Sequence, residues 1–328
     1  MQKAFENLIA GALGIKKNEL AVFIHDPTFE HLVTPLQQFA EGVGIHLAAI
    51  EIEYDGIAPI SLEVRDLLRG NQYQVILFGL VHNIWHTPER KEAKYKLKKR
   101  LASVVCSPHD FSVGATVSDI QKIARITRRL HSLFSEGIHF RATTPGGTDF
   151  HAVIGIPFCE DGLYHLPGTG GDFPSGEVGF GPAEGSVNGR IVYDLKIQHV
   201  GILNSPLILE VRNDLVVDIQ GEQKDRFLDI CRNRGEILKY ISEISLGMNP
   251  GGILTQSSQF IPEEKNYGTL HCGHGGNASY GHRIGPHLDG VMDRPTVFLD
   301  DQLLMKDGQL IKTHTESDLF VWLHKECQ

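Results

Sequence analysis

The chain has 328 residues, 41% of them hydrophobic and 22% charged, the proportions of a water-soluble globular protein with material for one large or two ordinary domains. Its formal net charge of −9 leaves no basic excess to displace counterions from phosphates, which argues against nucleic acid or an anionic membrane as partner. Five scattered cysteines without a Cys-x-x-Cys pair exclude a disulfide framework and fit a reducing cytoplasm. The short apolar run Leu8 to Leu13 is neither a signal peptide nor a bilayer span.

Residues 4–13 place Phe5, Leu8, Ile9, Ala12 and Leu13 on one side and predict a first helix that Gly14 stops. Leu20 to His25 is a continuous apolar run suited to a strand buried on both faces. Asp26-Pro27-Thr28 opens a helix from about Phe29 to Glu41, and Ile45 to Ile52 supplies the next strand. The unit repeats as helix Leu62 to Leu68 and strand Gln74 to Leu80. A basic helix, Lys91 to Arg100, follows with Ala93, Leu97 and Leu101 inward and its charges on a solvated face; then come strand Ala102 to Cys106 and helix Val117 to Ser135. This alternation predicts a parallel sheet flanked by helices.

After about Ile138 glycine and proline become frequent and short alternating runs replace helices. Phe140 to Thr144, His151 to Ile154, Gly189 to Asp194, Leu207 to Arg212 and Leu215 to Ile219 predict antiparallel strands, with one helix over Asp225 to Ser242. The expected architecture is an α/β domain with a parallel sheet at 1–138, then an α+β domain rich in antiparallel sheet at 139–328 that carries the chemistry.

The chemistry concentrates between Asn266 and Asp293. His287 and Asp289 are one residue apart, so on an extended segment both side chains leave one face. His271 can return to the same cavity across a glycine-rich loop. Histidines held by hydrogen bonds in a tight loop are the plainer alternative. Glu243 stands between Ile241 and Ile244 at the end of the predicted helix, where a buried carboxylate is costly unless paired or coordinated. Glu177 lies in a Pro/Gly turn that leads into a strand. Asp149 and His151 alternate on a strand as His287 and Asp289 do, and could line the same cavity as substrate contacts. His82 and His86 lack the glutamate of a zinc-protease helix and read as a loop. The glycines from Gly273 fit the letters of a dinucleotide motif, but no helix follows.

The ordered segments TDFHA (148–152), PSGEV (174–178) followed by Pro182, GSVNGRIVYD (185–194), SEISLG (242–247), and PHLD (286–289) followed by RPTVFLDD (294–301) carry a resemblance over nearly the whole chain. It resembles the aminopeptidase T, or thermophilic leucyl aminopeptidase, family of metallopeptidases and its relative 2,5-dihydroxypyridine dioxygenase. The resemblance implies a homodimer and two divalent ions (Zn, Mn or Co) on Glu177, Glu243, His271, His287 and Asp289. It implies a metal-activated water that cleaves an amide or peptide bond in a small substrate, with Glu243 or Glu177 as proton shuttle. The peptidases place a catalytic tyrosine where this chain has Ala278, and Tyr280 is the nearest substitute. The alternative that the resemblance implies is a ring-cleaving dioxygenase with one Fe(II) on two histidines and an aspartate, a set that His271, His287 and Asp289 could supply. The TDFHA and PSG segments and the chain length lean towards that relative.

Overall fold

The computed structural model describes residues 1–56, 59–82, 84–85, 87–277 and 283–326. Its chain divides into one unit formed by residues 1–121 and 162–175 and a second formed by 122–161 and 176–328. The boundary expected at 138 therefore falls earlier, and a later segment returns to the first unit.

In the first unit, α1 (Gln2–Glu6) runs into a π-helical turn, Asn7–Ala12, in place of one continuous helix. The Asn7 side chain explains part of this: its Nδ2 donates to the carbonyls of Thr116 and Ser118, both at 2.9 Å. Strands β1 (Leu20–His25), β2 (His46–Glu51), β3 (Val75–Gly79) and β4 (Arg100–Val104) form the expected parallel sheet. The unexpected fifth strand is Gly170–Phe173, which pairs parallel with β4. Strand order is β2-β1-β3-β4 and then this fifth strand. Val22, Ile24, Ile76, Phe78 and Leu101 pack with Val64 and Leu68 of the helix Leu62–Arg69.

The basic segment departs from its expected role. Its helix spans Pro88–Tyr95, Leu97 is exposed, and Arg90, Lys94, Lys99 and Arg100 are buried rather than solvated. Backbone carbonyls account for this. Arg90 donates to Trp85 and stacks 4.2 Å from that indole. Lys94 donates to Gly170 at 2.6 Å, Lys99 to Tyr73 at 2.6 Å, and Arg100 to Gly14 and His165 at 3.3 Å besides pairing with Glu19.

The second unit is built on one large antiparallel sheet. With Gly170–Phe173 counted as β7, its strands are β5 (His139–Thr143), β6 (Asp149–Glu160), β8 (Glu177–Pro182), β9 (Asn188–Tyr193), β10 (Lys196–Ile197), β11 (Gly201–Ile202), β12 (Leu207–Arg212) and β13 (Leu215–Gln220). Then follow β14 (Ile241–Gly247), β15 (Thr269–Gly275), β16 (His287–Asp293), β17 (Thr296–Leu299), β18 (Gln302–Lys306) and β19 (Gln309–Leu310). The main path runs β11-β10-β16-β15-β14-β8-β6-β5-β17-β18-β19. Helix Ile120–Glu136, assigned to the first domain by the sequence reading, packs here: Phe134 meets Phe140 and Phe180 at ring distances of 6.2 and 5.9 Å. Each buried phenylalanine contributes up to about 3 kcal/mol of hydrophobic stabilisation.

The helix expected over 225–242 stops at Arg234, because Gly235 takes φ +139. Beyond a short 3-10 turn, Ile241 to Gly247 is a strand buried along its whole length. Glu243 is thus a sheet residue and not a helix terminus. No helix among the described residues is long and apolar enough to cross a membrane.

Candidate metal centre

Antiparallel register brings the predicted residues onto one face of four adjacent strands. Glu243 pairs across to Gly273, and Gly273 to Asp289; Ser245 pairs to His271 on one side and to Gly179 on the other; Gly247 pairs with Glu177. Paired residues share a face, and alternate residues along each strand repeat it. His287, Asp289, His271, Glu243 and Glu177 therefore converge, interleaved with glycines.

The glycines make the space. A Cβ on Gly273 would lie 2.6 Å from His287 Cε1 and 2.8 Å from Glu243 Cβ, so the imidazole occupies the place of the missing side chain. A Cβ on Gly247 would meet the Asn266 carbonyl oxygen at 2.1 Å. The chain after Ile261-Pro262 crosses the sheet at that bare position and delivers two residues that the sequence reading missed, Glu264 and Lys265. Glu160 is a third, placed opposite Glu177 in the β6–β8 ladder.

Distances define a tight, buried cluster. His271 Nε2 lies 3.4 Å from Glu177 Oε2 and 3.6 Å from Glu243 Oε1. His287 donates from Nδ1 to the Gly276 carbonyl at 2.7 Å, which directs Nε2 to Asp289 Oδ1 at 3.0 Å and Glu243 Oε2 at 3.9 Å. Asn277 donates to Glu243 Oε2 at 2.8 Å. Lys265 Nζ sits 2.8 Å from Glu177, 3.0 Å from Glu264 and 4.0 Å from Glu160. Two overlapping sets, Glu177–Glu243–His271 and Glu264–His271–Asp289, each offer ligand atoms within 4.8 Å of one another.

The electrostatics follow from this crowding. Burial alone would lower both imidazoles. Glu243, Glu177, Glu264 and Asp289 instead raise His271 to about 9, and Asp289 and Glu243 raise His287 to about 10. Burial pushes the Glu264 carboxyl well above the usual carboxylate range against the pull of Lys265. Burial also acts upward on Asp289, but His287 and His271 hold it below its ordinary value. The whole cluster draws positive charge: the carboxylates of Glu160, Glu177, Glu243, Glu264 and Asp289 surround, among the described residues, the one ammonium of Lys265. Imidazoles and carboxylates in this ratio fit divalent first-row metal ions.

Other expectations fall elsewhere. Asp149 and His151 do not line this cavity: both are exposed, and Asp149 forms a two-pronged pair with Arg141 at 3.0 Å. They sit at the opposite end of β6 from Glu160, about 30 Å along the strand. His274 leaves the other face of β15, where burial lowers it to about 4 and its Nε2 meets the Tyr193 hydroxyl at 2.6 Å. Tyr280, with Ala278 and His282, lies outside the described residues, as does His86.

The buried carboxylate and histidine cluster is a candidate metal centre on the antiparallel sheet of a two-unit α/β and α+β chain. Residues 66–312 match the family NicX, 2,5-dihydroxypyridine 5,6-dioxygenase, and the chain belongs to that family. Its fold is shared with the solved 2,5-dihydroxypyridine dioxygenase of Pseudomonas putida KT2440, at 18% identity and TM-score 0.79, over 95% of this chain and 96% of that one. It is also shared with wild-type AmpT of Thermus thermophilus, at 14% identity and TM-score 0.65, over 94% and 98%. No curated protein sequence matches significantly.

Proposed function

We propose that this chain is a metal-dependent hydrolase that cleaves an amide or peptide bond in a small substrate. Glu177, Glu243, His271, His287 and Asp289 would hold two divalent ions, with Glu264 beside them. The observation that carries this reading is the surplus of buried donors: Glu177, Glu243 and Asp289 accompany His271 and His287, where a single iron needs only two imidazoles and one carboxylate. When bound, such a pair of ions supplies Lewis acidity towards a carbonyl oxygen and brings a water's pKa near neutrality.

The residues divide the remaining work. Glu243 is oriented by Asn277, and Glu177 by Lys265 and by Ser245 at 3.5 Å, so both are committed to position. Glu264 takes the proton-carrying role given to Glu243 or Glu177 by the sequence reading. Its burial favours the protonated carboxyl, which suits delivery of a proton to a leaving amine. The glycine-paved face leaves the ligands in contact with one another rather than with bulky neighbours.

A second reading, a ring-opening dioxygenase with one Fe(II), is favoured by the family match over 66–312. Elemental analysis of anaerobically purified protein, with amide-hydrolysis and oxygen-uptake assays, separates them. The hydrolase reading expects Glu177→Gln to hold about one ion per chain fewer than wild type and to lose hydrolysis. One iron per chain in both proteins, with oxygen uptake on a hydroxylated ring, would overturn it.

A further inference from the structure

A second group of metal-type ligands stands on the first sheet, at the carboxyl ends of β1 and β2. His25, the last residue of β1, is 2% exposed. Its Nδ1 lies 3.0 Å from the Asp26 backbone carbonyl; the carbonyl can only accept, so Nδ1 carries a hydrogen, and in the tautomer this selects Nε2 is a lone pair. That lone pair makes no hydrogen bond among the described residues, and it faces Glu30 Oε2 at 3.8 Å, beyond hydrogen-bond reach. Glu51, the register partner of His25 at the end of β2, completes the set, with one ligand atom from each residue within 4.8 Å of the others.

Two carboxylates beside the Nε2 lone pair are three acceptors that a divalent cation can bridge. An imidazole that donates one ring N–H to a backbone carbonyl and aims the other nitrogen outward is oriented as metal-bound histidines are. Donor atoms around a tetrahedral zinc ion lie about 3.3 Å apart. The 3.8 Å contact needs to close by about half an ångström, a movement open to Glu30 because its side chain is exposed. Asp26 is not available for this role: its carboxylate accepts from the Thr28 and Val81 amides at 2.9 and 2.6 Å. The location is also one that receives ligands. Strand order is β2-β1-β3, so the set stands at the carboxyl ends of the strands, the end at which open parallel sheets bind ligands, one strand over from the β1/β3 crevice.

We propose that His25, Glu30 and Glu51 form a further site for a divalent transition-metal ion of the zinc type, separate from the centre on the antiparallel sheet. The bound ion ties the ends of β1 and β2 to the start of the helix Glu30–Gly42 and keeps coordination positions open to water or a small anionic ligand.

The test uses the full chain stripped with a chelator and dialysed against Zn²⁺, comparing wild type, Glu30→Gln/Glu51→Gln, Asp289→Asn and the combination. Both glutamates are exposed, so the double variant folds even where His25→Gln does not. The expected result is about one ion per chain fewer in the double variant than in wild type, and the same difference on the Asp289→Asn background. Failure of the hydrolase reading leaves this difference intact. Equal zinc content in the double variant and wild type on both backgrounds would overturn the proposal.

Discussion

The two units bury charge in opposite ways. In the first, the cations of Arg90, Lys94, Lys99 and Arg100 each end on backbone carbonyls. Their charge is spread over dipoles, with Glu19 added at Arg100. In the second, carboxylates from Glu177, Glu264 and Glu160 gather around the single ammonium of Lys265, beside the imidazoles of the candidate ligand sets. Buried charge is thus a poor guide to function by itself; the distinction lies in whether local dipoles already satisfy it.

Substitutions can break or sharpen this contrast. The largest effect is expected for Asp289→Asn, which removes a carboxylate held against His287. Metal content should drop, and activity should fall by more than about 100-fold, beyond the range of an outer partner. His274→Ala, on the other face of the same strand pair, should cost about 2–4 kcal/mol of stability through a cavity beside Tyr193 while retaining the metal. Metal analysis and denaturant unfolding check both; an empty centre in His274→Ala beside a full one in His271→Ala would reverse the choice of histidine.

Lys265→Met tests the charge balance. It leaves Glu177, Glu264 and Glu160 without their ammonium and should destabilise the stripped protein by about 3–5 kcal/mol. Added Zn²⁺ should recover more stability in this variant than in wild type, read by unfolding with and without metal. Gly273→Ala drives a methyl into His287 and Glu243, for an expected loss of about 1–3 kcal/mol together with weaker metal retention in dialysis. The first unit supplies the control: Lys99→Met should cost about 1–3 kcal/mol by stranding the Tyr73 carbonyl, with metal content unchanged.

The legible part of the site was the part written in local spacing. His287 and Asp289 alternate on a strand, so their shared face follows from period two; His271 joins them through the pairing of β15 with β16. Glu243 was marked by its apolar flanks but set on a helix, because Gly235 looks like a tolerable helix residue until its φ is known. Glu264 and Lys265 carry no such mark. Their position depends on the bare Cα of Gly247, far from them in sequence and meaningful only once the strands are paired. Asp149 and His151 show the converse error, since the same alternation occurs at the wrong end of a long strand. The parallel sheet was readable from its apolar runs, except for β7, whose four residues Gly170-Gly171-Asp172-Phe173 have no strand signature.

That fifth strand also orders events during synthesis. A ribosome releases the chain from its amino end, so β4 emerges with its outer edge open and stays open until Phe173 follows. By then β5 and β6, which belong to the other unit, are already outside. Neither unit can be completed before the other has begun, and a nascent chain halted near residue 138 carries an unpaired strand edge that invites association with other chains.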